Sequence, residues 1–255
     1  MSSIIELAVP SAALAGGGDF PASFAVYIAK PEGTPRGAVV LIHEVWGLVD
    51  HITDIADRWA AEGYLVAAPD ILSAIGIEPL VGADLFAKRN SPDEKVRTDA
   101  QPELRNAFAS LGTEGYPAWA VAALGAVVDH LEAQPGVDGR IAVTGFCFGG
   151  TYSFALAAAD PRVRAVLPFY GTAPEDVSAI AAPVFAFYGE QDTSLIEKLP
   201  GLTARMNDAG VDFTAKVYAN AGHAFFNDTN PHSYVPDAAA DAWAIATTFL
   251  AERLG

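Results

Sequence analysis

Cysteine is nearly absent from this chain: one thiol, Cys147, in 255 residues. A single thiol cannot close an internal disulfide, so no disulfide framework supports the fold, and a reducing, cytoplasmic setting is the expectation. Positive charge is also scarce, with 15 Lys and Arg against 31 Asp and Glu for a net charge of −16. Nucleic acid is excluded as a partner because phosphate binding needs a basic footprint. An acidic excess instead keeps a protein soluble, and a monomer or weak homo-oligomer is expected. Long apolar runs are missing as well. The most apolar helical stretch, Pro117–Val128, is about a dozen residues, short of the roughly 20 that span a bilayer. The opening segment MSSIIELAVPSAALAGGG has no basic start and carries Glu6 where a signal peptide would be apolar, so no membrane or secretory role is predicted. No His-Glu-x-x-His, clustered Cys/His spacing or Gly-x-x-x-x-Gly-Lys loop occurs, and neither a metal nor another cofactor is predicted.

What is present is apolar. Hydrophobic residues make up 51% and charged residues 18%, enough for a large core, and the absence of repeats or linkers makes residues 1–255 a single domain. Two strands, Ile4–Val9 and Ala22–Ala29, flank a turn at Gly16–Gly18 and predict an antiparallel hairpin. Strand-then-helix units follow. Ala38–His43, Val163–Tyr170 and Pro183–Tyr188 are apolar runs suited to buried strands, and Tyr64–Ala68, Arg140–Thr144 and Phe213–Tyr218 are further strands. His51–Glu62, Pro117–Gln134, Gly149–Ala159, Leu195–Asp208 and Asp237–Arg253 have helical patterns between and after them, and Asp84–Gly115 should lie over the sheet as helices and loops. This alternation predicts an α/β protein with a mostly parallel, doubly wound sheet and helices on both faces. Such sheets bind ligands beyond the carboxyl ends of their strands.

The reactive side chains fall there. Gly145-Phe146-Cys147-Phe148-Gly149, extended by Gly150, joins a strand to a helix as Gly-x-Cys-x-Gly. This pattern fits a nucleophile elbow, whose small residues permit a tight turn. A thiol at a helix N-terminus faces free N–H groups that favour thiolate, and the Phe148 N–H is placed to donate to an oxyanion. Against this stands the ordinary reading of a lone Cys as a small buried hydrophobe. Asp192 follows the next-to-last strand and His223 the last, giving the nucleophile–acid–histidine order of α/β-hydrolases. Glu190 competes for the acid role, with the Gly-x-x-Asp turn favouring Asp192. His51 and His130 read as solvated or capping helix residues, His232 as a surface residue and His43 as structural. After the first core strand, His43-Glu44-Val45-Trp46-Gly47 should supply a second oxyanion donor, the Val45 N–H. Glu44 beside it is either a partner of the thiol or a carboxylate that salt-bridges an arginine.

These segments, together with Gly222-His223-Ala224-Phe225, make the chain resemble the dienelactone hydrolase family over almost its full length. The resemblance implies an α/β-hydrolase fold, a Cys147–His223–Asp192 triad, and Val45 and Phe148 as oxyanion donors. It also implies a Glu44 that keeps the thiol neutral at rest and then takes its proton. The implied substrate is a small ester or lactone, with a broader carboxylesterase on uncharged esters or a catalytically silent binding module as alternatives. Family members grip a substrate carboxylate with two arginines. Here one position holds Asn227 and the other falls at Lys88 or Arg89. Trp46, Tyr170 and Phe225 complete the expected pocket wall.

Overall fold

The computed structural model describes residues 2–14 and 18–255. The chain opens with β1 (Ser2–Ala8), a short α1 (Ser11–Leu14) and β2 (Ser23–Ala29). It continues through β3 (Ala38–Ile42), α2 (Asp50–Ala61) and β4 (Leu65–Pro69). Three helices follow in succession: α3 (Pro79–Arg89), α4 (Glu94–Asp99) and α5 (Gln101–Ala109). The rest alternates: α6 (Tyr116–Glu132), β5 (Ile141–Phe146), α7 (Phe148–Ala159), β6 (Val163–Phe169), β7 (Val184–Gly189), α8 (Thr193–Asp208), β8 (Phe213–Tyr218) and α9 (Pro236–Leu254).

The eight strands form one sheet in the order β1-β2-β4-β3-β5-β6-β7-β8. β1 and β2 pair antiparallel, β2 joins β4 antiparallel, and the remaining pairs are parallel. The hairpin expected at the N-terminus is therefore present as a pairing, but α1 lies in its connection rather than a tight turn. Of the predicted Gly16–Gly18 turn, residues 16 and 17 lie outside the described residues. β3, β4 and β5 are buried along their whole length, as continuous apolar strands covered on both faces should be. Packed against one face are α6, α7 and α8, with Trp119, Leu124 and Phe154 buried there. Against the other lie α2 and α9, with Trp59, Ala242 and Leu250 buried. No helix of the described residues is long and apolar enough to cross a membrane.

Two features of this topology position the site. The chain winds outward from β3 to β4 and then returns to place β5 on the other side of β3. The loops leaving β3 and β5 therefore diverge and open a crevice at the switch point. Glu44 leaves one strand and Cys147 the other, with Ile42 paired to Gly145 just before them. The α3–α5 segment forms a cap fastened to the β3 loop. Trp46 meets the rings of Phe86 and Phe108 at 5.5 and 5.7 Å and packs against the small Leu85–Ala100–Leu104 cluster.

Candidate active site

Cys147 occupies the junction of β5 and α7 with φ 55° and ψ −110°, a conformation that ordinary residues avoid. The glycines around it allow this turn. A Cβ on Gly149 would lie 2.1 Å from the Ile42 carbonyl oxygen, and one on Gly150 would lie 2.4 Å from that of Phe169. Positive φ recurs around the site: of five non-glycine residues with positive φ among those described, four are Cys147, Tyr170, Asn220 and Ala224. Strain of this kind persists only where the surrounding structure holds it, and it gathers at functional sites.

The backbone N–H groups of Phe148 and Val45 act on the Cys147 thiol by pulling its pKa down. A helix N-terminus alone would lower the thiol pKa. Here burial, and after it the Glu44 carboxylate, outweigh those donors and push the thiol up to about 12.

Glu44 is 2% exposed. Its Oε2 accepts from Asn227 Nδ2 at 2.7 Å and its Oε1 from the Tyr170 hydroxyl at 3.4 Å. Burial raises this carboxyl to about 7, with the two donors pulling the other way. No arginine pairs with it among the described residues, which removes the salt-bridge reading. The Asn227 side chain is fixed in orientation because its Oδ1 accepts from the Thr229 N–H and hydroxyl at 3.0 and 2.6 Å.

Across the site, His223 Nδ1 lies 2.5 Å from Asp192 Oδ2. Glu190, the competing carboxylate, is exposed and accepts from the Asn220 N–H at 3.2 Å. The acid beside the imidazole is therefore Asp192. His223 is about half-exposed, its side chain 45% accessible against 11% for Asp192. Cys147, Glu44 and His223 all line one open cavity of about 720 Å³.

Trp46 and Arg89 also line that cavity. Lys88 does not: its ammonium is held by Asp84 and Glu103 at 2.5 and 2.8 Å on the outside of the cap. Three further expectations need correction. Asn227 turns to Glu44 and to a separate pocket of about 380 Å³ behind Trp46. Phe225 is fully buried, with Tyr170 and Tyr218 at 5.6 and 5.0 Å, and is absent from the cavity wall. Tyr170 is likewise absent from the wall; it is 1% exposed and sits behind the site, its ring 5.0 Å from that of His223.

Among the other histidines, His43 is structural. It is buried, with Nδ1 2.8 Å from the Glu44 carbonyl oxygen and Nε2 accepting from the Ile71 N–H at 3.3 Å. His51 is not solvated as its helix suggested: it is 4% exposed, neither ring nitrogen makes a hydrogen bond, and Asp228 lies 3.4 Å away. His130 is half-buried on α6. His232 is exposed, as expected, but it lines the cavity. Arg97 on α4 lines it too, and the sequence reading missed it. The only available signal was its place in the polar stretch between Asp84 and Gly115.

The profile of the dienelactone hydrolase family matches residues 24–254. A protein of Saccharolobus solfataricus, provisionally named carboxymethylenebutenolidase, is 31% identical over 90% of this chain and 94% of its own length. Protein usf of Aquifex pyrophilus is 32% identical over 89% and 93%. Among solved structures, a provisionally named dienelactone hydrolase from Klebsiella pneumoniae superposes with a TM-score of 0.75 at 25% identity over 99% of both chains. The dienelactone hydrolase of Anabaena variabilis gives 0.61 at 15% identity over 100% and 99%. Together these likenesses establish the α/β-hydrolase fold.

Proposed function

Because the chain belongs to the dienelactone hydrolase family, and is therefore a hydrolase acting on ester bonds, we propose that it cleaves a small ester or lactone through a Cys147 thioester. One observation carries this reading. Cys147, on a strained strand-to-helix turn where the Phe148 and Val45 N–H groups pull its thiol pKa down, lines the same cavity as the Asp192-bound His223.

At rest the thiol keeps its proton. As the sulfur attacks the acyl carbonyl, its proton passes to Glu44 or to His223 Nε2, and the Val45 and Phe148 N–H groups hold the developing oxyanion. Asp192 accepts from His223 Nδ1–H, fixing the tautomer that leaves Nε2 free and stabilising the imidazolium that forms. The tetrahedral adduct collapses with cleavage of the acyl C–O bond, and the alcohol departs with that proton. Water then attacks the thioester, delivering one proton to His223 and releasing the acid and the neutral thiol.

The position of Asn227 favours a second reading of the substrate. With its amide committed to Glu44 and Thr229, the inner wall offers no guanidinium to a carboxylate adjacent to the reacting carbonyl. Esters without a charge at that position are then accepted. Turnover of a dienelactone compared with its methyl ester separates the two readings, a strong preference for the methyl ester excluding the adjacent carboxylate. The cysteine mechanism has its own test. Complete alkylation of Cys147 with iodoacetamide should abolish cleavage of p-nitrophenyl acetate, and activity surviving it would refute the mechanism. A protein that neither labels nor cleaves would be the silent binding module.

A further inference from the structure

We propose that Trp46 is a specificity-determining residue: its indole partitions the catalytic cavity from a second, apolar pocket and keeps the chain of a longer aliphatic ester out of that pocket. The inference rests on the ester-hydrolase reading above and adds a substrate class to it: esters whose acyl and alkoxy groups are both short.

The case starts from two neighbouring spaces of opposite character. The catalytic cavity of about 720 Å³ has a largely polar wall beside Cys147, including Glu44, Arg89, Arg97, Asn230 and His232. The pocket of about 380 Å³ behind Trp46 is walled mainly by Leu48, Val49, Leu80 and Phe86, with Asp50, His51, Asn227 and Thr229 as its polar part. Among the described residues, Trp46 is the one common to both walls. The flanking elements divide in the same way. α3 gives Arg89 to the catalytic cavity and Leu80, Ala83 and Phe86 to the second pocket. The segment after His223 gives Ala224 and Asn230 to the first and Asn227 and Thr229 to the second. The indole therefore stands at the boundary where the two spaces meet.

A large aromatic side chain is most often plain packing, and Trp46 does meet Phe86 and Phe108 edge-on at 5.5 and 5.7 Å. Two observations make it a partition as well. It is only half-buried, so the indole keeps free surface while it packs. Its backbone is also fixed, because α3 approaches so closely that a Cβ on Gly82 would lie 1.7 Å from the Trp46 carbonyl oxygen. A wall held from below by backbone and from the side by two rings does not swing aside as a loop tip does. An aliphatic chain in the catalytic cavity is thus left against guanidinium, amide and imidazole groups, where each added methylene gains little. The apolar surface beyond Trp46 would favour it by about fourfold per buried methylene.

The test compares p-nitrophenyl octanoate with p-nitrophenyl butanoate, and octyl acetate with butyl acetate, so that either side of the ester can carry the chain. In the native protein the longer ester should be favoured in kcat/KM by less than about tenfold in both series, well short of what four buried methylenes supply. In W46A this ratio should rise by at least about tenfold in one series or both, and a smaller rise in both overturns the partition. W46L keeps an apolar contact with Phe86 and Phe108 and decides the matter if W46A does not fold, with a rise of at least about threefold required. Adding A83W, which fills the second pocket from α3, should return the ratio to its native value. A gain that survives A83W would put the chain in the space vacated by the indole, and the proposal fails. A native protein that already favours the octyl esters by tenfold or more overturns it as well. Absence of turnover of all four esters would refute the hydrolase reading, and calorimetry of the neutral ketones 2-decanone and 2-hexanone would then decide the partition. Their affinity ratio should shift toward 2-decanone in W46A by a similar factor, and an unchanged ratio rejects the proposal.

Discussion

Each reactive residue is controlled by a neighbour of opposite tendency. Two backbone N–H groups favour the Cys147 thiolate, and burial together with Glu44 prevails over them. Glu44→Gln removes the negative charge but leaves the burial, so the thiol pKa should fall only part of the way. A fall of roughly one unit makes about tenfold more thiolate available at a fixed pH. Iodoacetamide labelling of Cys147 at pH 8 should speed up by about that factor. Slower labelling would instead identify Glu44 as mainly a base. The acid assignment has a comparable test. Asp192→Asn leaves His223 Nδ1 without its carboxylate, and kcat/KM for p-nitrophenyl acetate should drop by about a hundredfold or more. Glu190→Gln touches only the Asn220 N–H and should change it by less than about threefold.

The elements explain why these residues meet. The elbow depends on the close approach of α7 to β3, and Gly149→Ala would place a methyl group 2.1 Å from a backbone carbonyl oxygen. Backbone cannot yield as a flexible side chain does, so a loss of at least about 3 kcal/mol or a failure to fold is expected. Gly125 on α6 is the control, because nothing lies within 4 Å of a Cβ added there. Gly125→Ala should stabilise by about 0.5–1 kcal/mol through helix propensity, raising Tm by about 1–4 °C. Thermal unfolding of both variants checks the contrast, and similar behaviour would contradict the packing argument.

The same elements set what was legible in the sequence. Continuous apolar runs marked β3, β6 and β7, and strand-end placement located Glu44, Cys147, Asp192 and His223, because sheet topology alone brings such positions together. Side-chain direction just beyond them was not legible. Ala224, with φ 62°, turns the chain immediately after His223, so Phe225 enters the core and Asn227 reaches Glu44 from behind. Tyr170, with φ 40°, is likewise turned away from the cavity. Non-glycine residues leave no sequence trace of a positive φ. Arg97 was missed for a different reason: it sits on a cap whose placement depends on aromatic packing around Trp46, and no periodicity encodes that contact.

At the scale of the whole molecule, two buried groups give the stability opposing pH dependences. Glu44 is raised from 4.5 to about 7 by burial, so between those values the folded protein holds more protons than the unfolded chain. Its contribution is fully present below pH 4.5 and is lost as pH rises to 7. His51 is lowered from 6.5 to about 4, by burial first and against the pull of Asp228. There the unfolded chain binds the extra proton, so stability is full above pH 6.5 and is lost as pH falls through 4. Each shift corresponds to an order-of-magnitude limit of about 3 kcal/mol. Between pH 4.5 and 6.5 the two slopes largely cancel, and single substitutions should expose them. Relative to the native protein, Glu44→Gln should gain stability progressively from pH 4.5 to 7 and match it below pH 4.5. His51→Leu should gain stability only as pH falls from 6.5 toward 4, with no pH-dependent difference above that window. Urea unfolding from pH 4 to 8 measures both differences directly, with the native protein subtracting the contribution of all other carboxylates. A gap that stays constant across this range for either variant would mean that the group titrates alike in the folded and unfolded chains. Burial of Glu44 could then no longer be the reason that the Cys147 thiol faces a carboxylate able to hold a proton near neutral pH.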